Sequence, residues 1–165
     1  MSTNQIESEV DLRQFAGQFP TGVAVITTAD KHGKLHGITM SAVTSLSLSP
    51  PLFLICLNNT SNTLTAIKES RHFGINFLSS DQTEVCKIFA SKADNKFRNV
   101  AHTLGEVGSP LIDGALAHGE CVVHSTVGEG DHTIVVARLV RTTVRDLQPL
   151  VYHAGQFTAL AAHAA

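Results

Sequence analysis

His36-Gly-Ile-Thr-Met-Ser-Ala-Val-Thr-Ser-Leu-Ser-Leu-Ser-Pro-Pro-Leu-Phe-Leu-Ile-Cys56 is the stretch on which the fold turns. Five small hydroxyl residues, Thr39, Ser41, Thr44, Ser45 and Ser47, fall within nine positions between two apolar runs, and the pattern stops at Pro50-Pro51. A surface loop is rarely this apolar and a core strand rarely this rich in hydroxyls. Two readings fit. One is a strand whose end lines a polar ligand, offering short donors and backbone N–H groups to an acceptor-rich molecule. The other is a Ser/Thr-rich edge strand with a turn.

Outward from this stretch, Thr21-Gly-Val-Ala-Val-Ile-Thr-Thr is β-branched and bounded by Pro20 and by Asp30-Lys-His-Gly-Lys, so it reads as a strand entering a hairpin. Its expected partner is the quoted stretch. Leu52 to Leu57 is almost continuously apolar, as in a strand covered on both faces, which makes a meander of three strands. Upstream, Leu12, Phe15, Ala16 and Phe19 recur at helical spacing, and a short helix from about Glu9 should end before Pro20. Residues 1–8 are polar and expected to be flexible, leaving 9–165 as one domain.

Downstream, Asn58-Asn-Thr-Ser-Asn-Thr opens a helix carrying Leu64 and Ile67 on one face. It reads either as plain N-capping or as a helix start that favours an anion. Arg71 to Leu78 is a strand, and Asp81 with Glu84 reads as a capping pair for a helix through Phe89. In Ser91 to Asn99, Lys92, Lys96 and Arg98 surround Phe97 in a chain otherwise poor in charge. The cations suit a phosphate and the ring suits stacking, or the segment is a solvated basic loop. Gly114–Val127 and His132–Val144 are long strands joined at Gly128-Glu-Gly-Asp-His, and Leu150–His153 and Gln156–Leu160 close the chain. About seven strands, mostly antiparallel between sequence neighbours, with three helices, predict a mainly β fold: a closed or split β-barrel with peripheral helices.

Composition narrows the function. Charged residues are 16% and hydrophobic residues 43% of the 165, so apolar surface is expected in a subunit interface as well as in the core. A net charge of −2 without a basic block argues against nucleic acid as partner. No apolar run reaches the roughly 18 residues of a membrane span and the N-terminus lacks a signal pattern, which predicts a cytoplasmic protein without a membrane partner. Cys56, Cys86 and Cys121 read as buried small hydrophobes, and the nine histidines show no ligand spacing, so no metal is expected. Gly128 and Gly130 do not extend to a dinucleotide fingerprint, since Thr stands at 133; there is no P-loop and no Gly-x-Ser-x-Gly.

Taken in order, Phe19-Pro-Thr-Gly-Val-Ala-Val-Ile-Thr-Thr, the run Gly37–Leu52, Phe73-Gly-Ile-Asn-Phe-Leu, Asp94-Asn-Lys-Phe, Gly130-Asp-His-Thr-Ile and Pro149-Leu-Val-Tyr-His resemble the flavin reductase-like family over nearly the whole chain. That resemblance implies an FMN-binding split barrel, a homodimer, and NAD(P)H:flavin oxidoreductase activity, with reduced FMN or FAD passed to a separate oxygenase component. It also implies site residues. Thr39, Met40, Ser41, Ala42, Val43, Thr44 and Ser45 match the flavin-binding strand and loop, Asn58, Ser61, Asn62 and Thr63 a second flavin loop, and Lys96 with Phe97 a third contact. His132 matches a catalytic position near the nicotinamide of NADH or NADPH, and Tyr152 lies where the pyridine nucleotide is contacted. On residue chemistry alone His132 reads first as a histidine that merely satisfies turn hydrogen bonds. Relatives on the same barrel widen the range to a flavoprotein with tightly held FMN that reduces metal chelates or a protein partner, and to a non-catalytic flavin-binding module.

Overall fold

The structure, a computed structural model, describes residues 10–158 and residue 160. The stretch 1–8 expected to be flexible, and Glu9, lie outside the described residues. The chain opens with helix α1 (Leu12–Gly17), where Asp11 Oδ1 accepts the Gln14 N–H at 2.9 Å. Strands β1 (Thr21–Gly22), β2 (Ala24–Ala29), β3 (Leu35–Met40), β4 (Val43–Leu48) and β5 (Pro51–Asn58) follow, then helix α2 (Asn62–Ser70), β6 (His72–Phe77) and helix α3 (Thr83–Ala90). The last third holds the short β7 (His102–Leu104) and β8 (Pro110–Ile112), the long β9 (Ala117–Glu129) and β10 (His132–Val144), and β11 (Val151–His153) and β12 (Gln156–Thr158).

Seven strands form one antiparallel sheet in the order β3-β2-β6-β9-β10-β5-β4. Its inner face buries Ile26, Ile55, Leu57, Phe73, Ile75, Val135 and Ala137 around a common core that α2 caps with Leu64 and Ile67. A second apolar cluster, Val25, Leu78, Cys86, Phe89, Val100 and Ile112, fills the space between the sheet and α3. Bulges in β10 against β9, between Val136 and Ala137 and between Leu139 and Arg141, add bend and twist where the sheet must curl. The result is the expected mainly β barrel with peripheral helices, and it is split: its two outermost strands, β3 and β4, are consecutive in sequence yet stand at opposite ends of the strand order.

That separation corrects the meander read from the sequence. β2 and β3 form a hairpin through the Asp30–Lys34 turn, with Gly33 at φ +80°, but the chain then breaks at Ser41-Ala42 and β4 pairs with β5 instead. The third member of the expected meander, β5, is covered on one face only, with Ile55 and Leu57 buried and Leu52, Leu54 and Cys56 half-buried. Two further differences are local. Thr21–Thr28 divides at Val23, because β1 pairs with β11 while β2 joins the main sheet. The Asp81–Glu84 capping pair does not form: Gln82 is the N-cap of α3 without a side-chain cap, and Asp81 instead accepts from Ser79 Oγ at 2.6 Å. The β7–β8 hairpin lay in a segment where the sequence shows no strand pattern; it is fastened by buried Asn76, whose Oδ1 accepts the Ile112 N–H at 2.7 Å.

Candidate active site

As the outermost strand beyond β2, β3 leaves one edge of backbone groups without a strand partner among the described residues, and side-chain clefts lie along it. The first, of about 410 Å³, runs from Lys34–Ile38 to the loop and first turn of α2, Thr60–Thr63, and to the basic loop at Lys92–Asp94, Lys96 and Phe97. Its wall at α2 is built by local hydrogen bonds. Asn58 Oδ1 accepts from the Thr60 N–H at 2.9 Å and Thr60 Oγ1 at 2.6 Å, and the N-cap Ser61 faces the Leu64 N–H at 3.4 Å. The floor is Gly37, where a Cβ would sit 2.5 Å from the Phe89 ring, so only glycine lets the strand lie this close to α3.

Lys96 and Phe97 line this cleft, but their functional atoms are engaged with the protein. The Lys96 ammonium donates to Gly37 O at 3.1 Å and Phe89 O at 2.9 Å, tying the basic loop to the free edge of β3 and the end of α3, and burial pulls its pKa below the usual lysine value. Phe97 packs edge-on against Phe89 and His102, with centroids 4.9 and 5.0 Å apart. Of the sequence-derived cations, exposed Lys92 lines the cleft without such a commitment among the described residues; Lys34, read from the sequence only as a turn residue, joins it.

The second cleft, of about 290 Å³, takes over where the first ends on β3. Thr39, Met40 and Ser41 form one side, Cys86, Lys87 and Ala90 of α3 another, and Val23, Tyr152 and Phe157 the remainder. The walls are mainly apolar and aromatic. Tyr152 and Phe157 sit edge to face with centroids 5.5 Å apart across β11–β12. The Thr39 hydroxyl is spent on Cys86 O at 2.7 Å, which fixes α3 against β3, whereas Ser41 is exposed. Burial raises the Cys86 pKa, so this sulfur is a neutral thiol and a packing atom.

Ala42, Val43, Thr44 and Ser45 lie outside both clefts, the first at the break and the others on β4; Ala42 accepts the Cys56 N–H at 3.1 Å, and Ala42, Thr44 and Ser45 are exposed. His132 also lines neither cleft. It opens β10 opposite Asn58, in a turn stapled to the α2 loop by the Asn59 N–H to Asp131 O at 2.9 Å and by Thr133 Oγ1 to Asn59 Oδ1 at 2.7 Å. Its Nδ1 bonds Asp131 Oδ1 at 2.7 Å, which holds the Asp131 pKa below the usual carboxylate value, and its side chain is 46% exposed. Among the described residues no three His, Cys, Asp or Glu side chains come together as metal ligands.

The sequence reading missed Lys34, His36, Ile38, Cys86, Ala90 and Phe157 as cleft residues. A signal existed for two of them, since Cys86 and Ala90 stand four apart on one helix face. For Phe157 there was none, because its place depends on β12 folding back on β11. Together the residues present suit a flavin: cations and α2 N–H groups for a phosphorylated tail, apolar and aromatic walls for a planar ring, and an unpaired strand edge for the ring's polar rim.

Residues 16–161 match the family described as flavin reductase like domain. A flavin reductase of Pseudomonas putida is 38% identical over 146 residues, covering 87% of this chain and 83% of that protein. The reductase subunit of a flavin-dependent monooxygenase from Rhodococcus jostii is 37% identical over 155 residues, covering 92% and 79%. An NADH:FAD oxidoreductase of Streptomyces globisporus, solved in complex with NAD and FAD fragments, superposes with a TM-score of 0.88 at 33% identity, covering 98% of each chain. With the split barrel and the clefts along β3, these likenesses establish that the chain belongs to the flavin reductase-like family.

Proposed function

We propose that this chain is an NAD(P)H:flavin oxidoreductase that reduces FMN or FAD and releases the reduced flavin to a separate oxygenase component. The observation that carries the reading is the free edge of β3, flanked at one end by a polar cleft with cations and at the other by an apolar, aromatic one. Bound flavin supplies the hydride acceptor and the pyridine nucleotide the donor; the protein's work is to hold the two rings face to face. Lys34, Lys92 and the first turn of α2 hold the phosphate. Ser41, Met40 and the outward backbone groups of β3 orient the ring, with donors aimed at the edge where negative charge develops. Tyr152 and Phe157 keep water from one flank of the apolar cleft. His132 stands at the α2 loop to orient the nicotinamide carboxamide or hold a proton near neutral pH.

The protein works as a homodimer, which gives the exposed β4 edge, with Leu46 51% and Leu48 94% exposed, an apolar partner. Three unpaired thiols and dependence on NAD(P)H fit a reducing, cytoplasmic setting. No helix among the described residues is long and apolar enough to cross a membrane. Oxidation of NADH and NADPH, followed with and without FMN, FAD and riboflavin, tests the reading. Oxidation that rises with added flavin and saturates supports a diffusible flavin; a flavin that copurifies and turns over without addition would replace that part with a tightly held one. No oxidation under any of these conditions sinks the assignment.

A further inference from the structure

The basic loop beside the polar cleft is fixed at its two ends. At the near end Ser91, which follows α3, donates its hydroxyl to Ile88 O at 2.7 Å and accepts the Ala93 N–H at 3.2 Å. At the far end Lys96 and Phe97 are both anchored to the body of the protein. The Lys96 ammonium spans Gly37 O of β3 and Phe89 O of α3 at 3.1 and 2.9 Å. The Phe97 ring packs on Phe89 and His102 and against Gly37, where a Cβ would come within 3.3 Å of it. Residues 92–95 lie exposed between these anchors, and among the described residues their hydrogen bonds go only to Ser91 and Arg98 of the same loop. Lys92 and Asp94 of that strap line the cleft.

Two of the three donors of the Lys96 ammonium are thus spent on carbonyls of different elements, and the side chain is half-buried where that of Lys92 is exposed. A compact cation with rotatable donors can draw β3, α3 and the loop together in this way without meeting a ligand. We propose, resting on the flavin reductase reading, that Lys96 is a positioning residue: it closes the far end of the strap and so holds Lys92 at the flavin phosphate, and does not itself contact the flavin. With that anchor released, Lys92 spends only part of its time over the cleft. The apparent affinity for a phosphorylated flavin then falls by the fraction of time that Lys92 is out of place. Riboflavin, which has the same ring and no phosphate, loses nothing by that motion.

The test is fluorescence titration of flavin-free protein with FMN and with riboflavin at fixed salt, for the parent, Lys96→Met, Lys92→Met and the double variant. Lys96→Met keeps an unbranched stem and removes the ammonium, and it should weaken FMN about tenfold and riboflavin by less than about twofold. In the Lys92→Met background the same change should cost FMN less than about twofold, because the charge it positions is already gone. Trypsin cleavage after Lys92 under native conditions should quicken in Lys96→Met, since the strap opens more often. Should Lys96→Met fail to fold, Ser91→Ala frees the near anchor of the same strap at an exposed position. It should weaken FMN several-fold, spare riboflavin and have no effect in the Lys92→Met background. Equal losses for both flavins overturn the proposal, as does unchanged FMN affinity in the anchor variants. A Lys96→Met loss that persists in full without Lys92 also overturns it, since the ammonium then meets the phosphate itself. In each of those cases NADH oxidation by the parent leaves the reductase reading standing; flavin binding by the parent without NADH oxidation is the separate failure of that reading.

Discussion

His132 shows how much a single residue's meaning depends on its neighbours. Its Nδ1 is held by Asp131 and its turn is stapled to Asn59, so the ring's direction is set by bonds that do not involve Nε2. His132→Ala should lower kcat/KM for the pyridine nucleotide by several-fold if one hydrogen bond of about 1 kcal/mol is lost, and by about a hundredfold if a proton transfer is lost. Flavin affinity and melting temperature should stay near the parent's. Single-turnover rates across pH measure this, and unchanged hydride transfer with a lowered melting temperature would make the residue structural. Asp30 gives the acid limit of the β2–β3 turn. Its hydrogen bond with His36, with help from the His32 and Lys34 N–H groups, lowers its pKa from 3.8 to about 2. A carboxylate lowered on folding stabilises above its unfolded pKa and loses that contribution as pH falls through the folded one. The stability gap between the parent and Asp30→Asn should therefore be full above about pH 4 and close toward about pH 2, read by denaturant unfolding at a series of pH values.

At the scale of elements, the deciding feature is the break at Ser41-Ala42, which sends two consecutive strands to opposite ends of the sheet. Ser41 borders the apolar cleft and Ser45 is exposed on β4, outside it. Ser41→Leu should weaken FMN and FAD binding by about tenfold, because bulk enters the wall and a hydroxyl is lost, and fluorescence titration of the folded variant reads it. Unchanged affinity for both flavins would remove Ser41 from the site. The break also marks the limit of what the residues alone disclosed. Strand character at Ile38–Met40 and Val43–Leu48 is written locally in β-branched and apolar residues, and so are the Asp30–Lys34 turn and the Ser61 cap. Which strand pairs with which is not local: both halves of the quoted stretch have the same β propensity, and only burial against β2 and β5 separates them. The site followed the same division. The family resemblance pointed to residues within one run, Thr39–Ser41 and Ser61–Thr63, and these line the clefts, whereas Lys34 and Phe157 enter only through tertiary contacts. Lys96, matched through the resemblance to a flavin contact, lines the polar cleft, but its ammonium serves the carbonyls of Gly37 and Phe89, a role no spacing announces.

For the whole molecule, the outer side of the barrel is unfinished in one chain. Leu46 and Leu48 are exposed on β4, Leu52 and Leu54 are half-buried on β5, and Val144 is 76% exposed at the end of β10. A two-fold dimer burying these residues is the expected state, and light scattering at micromolar concentration should give twice the chain mass at moderate salt. A single-chain mass under those conditions would count against it. The strand order has one more consequence, in time. β9 and β10 are joined by a tight turn and can pair as soon as they are made, but β10 meets β5 over pairs such as His132 with Asn58, 74 positions apart. Pairings of that separation carry a large loop-closure entropy and place barrel-like folds among the slow folders. The loop of α2 and the turn of His132 come together at that closure, so an unclosed chain presents β3 and its basic loop without their counterpart. Recovery of nucleotide turnover during refolding should then lag behind the appearance of strand signal, and a ligand that binds only the closed barrel will pull late intermediates forward by mass action.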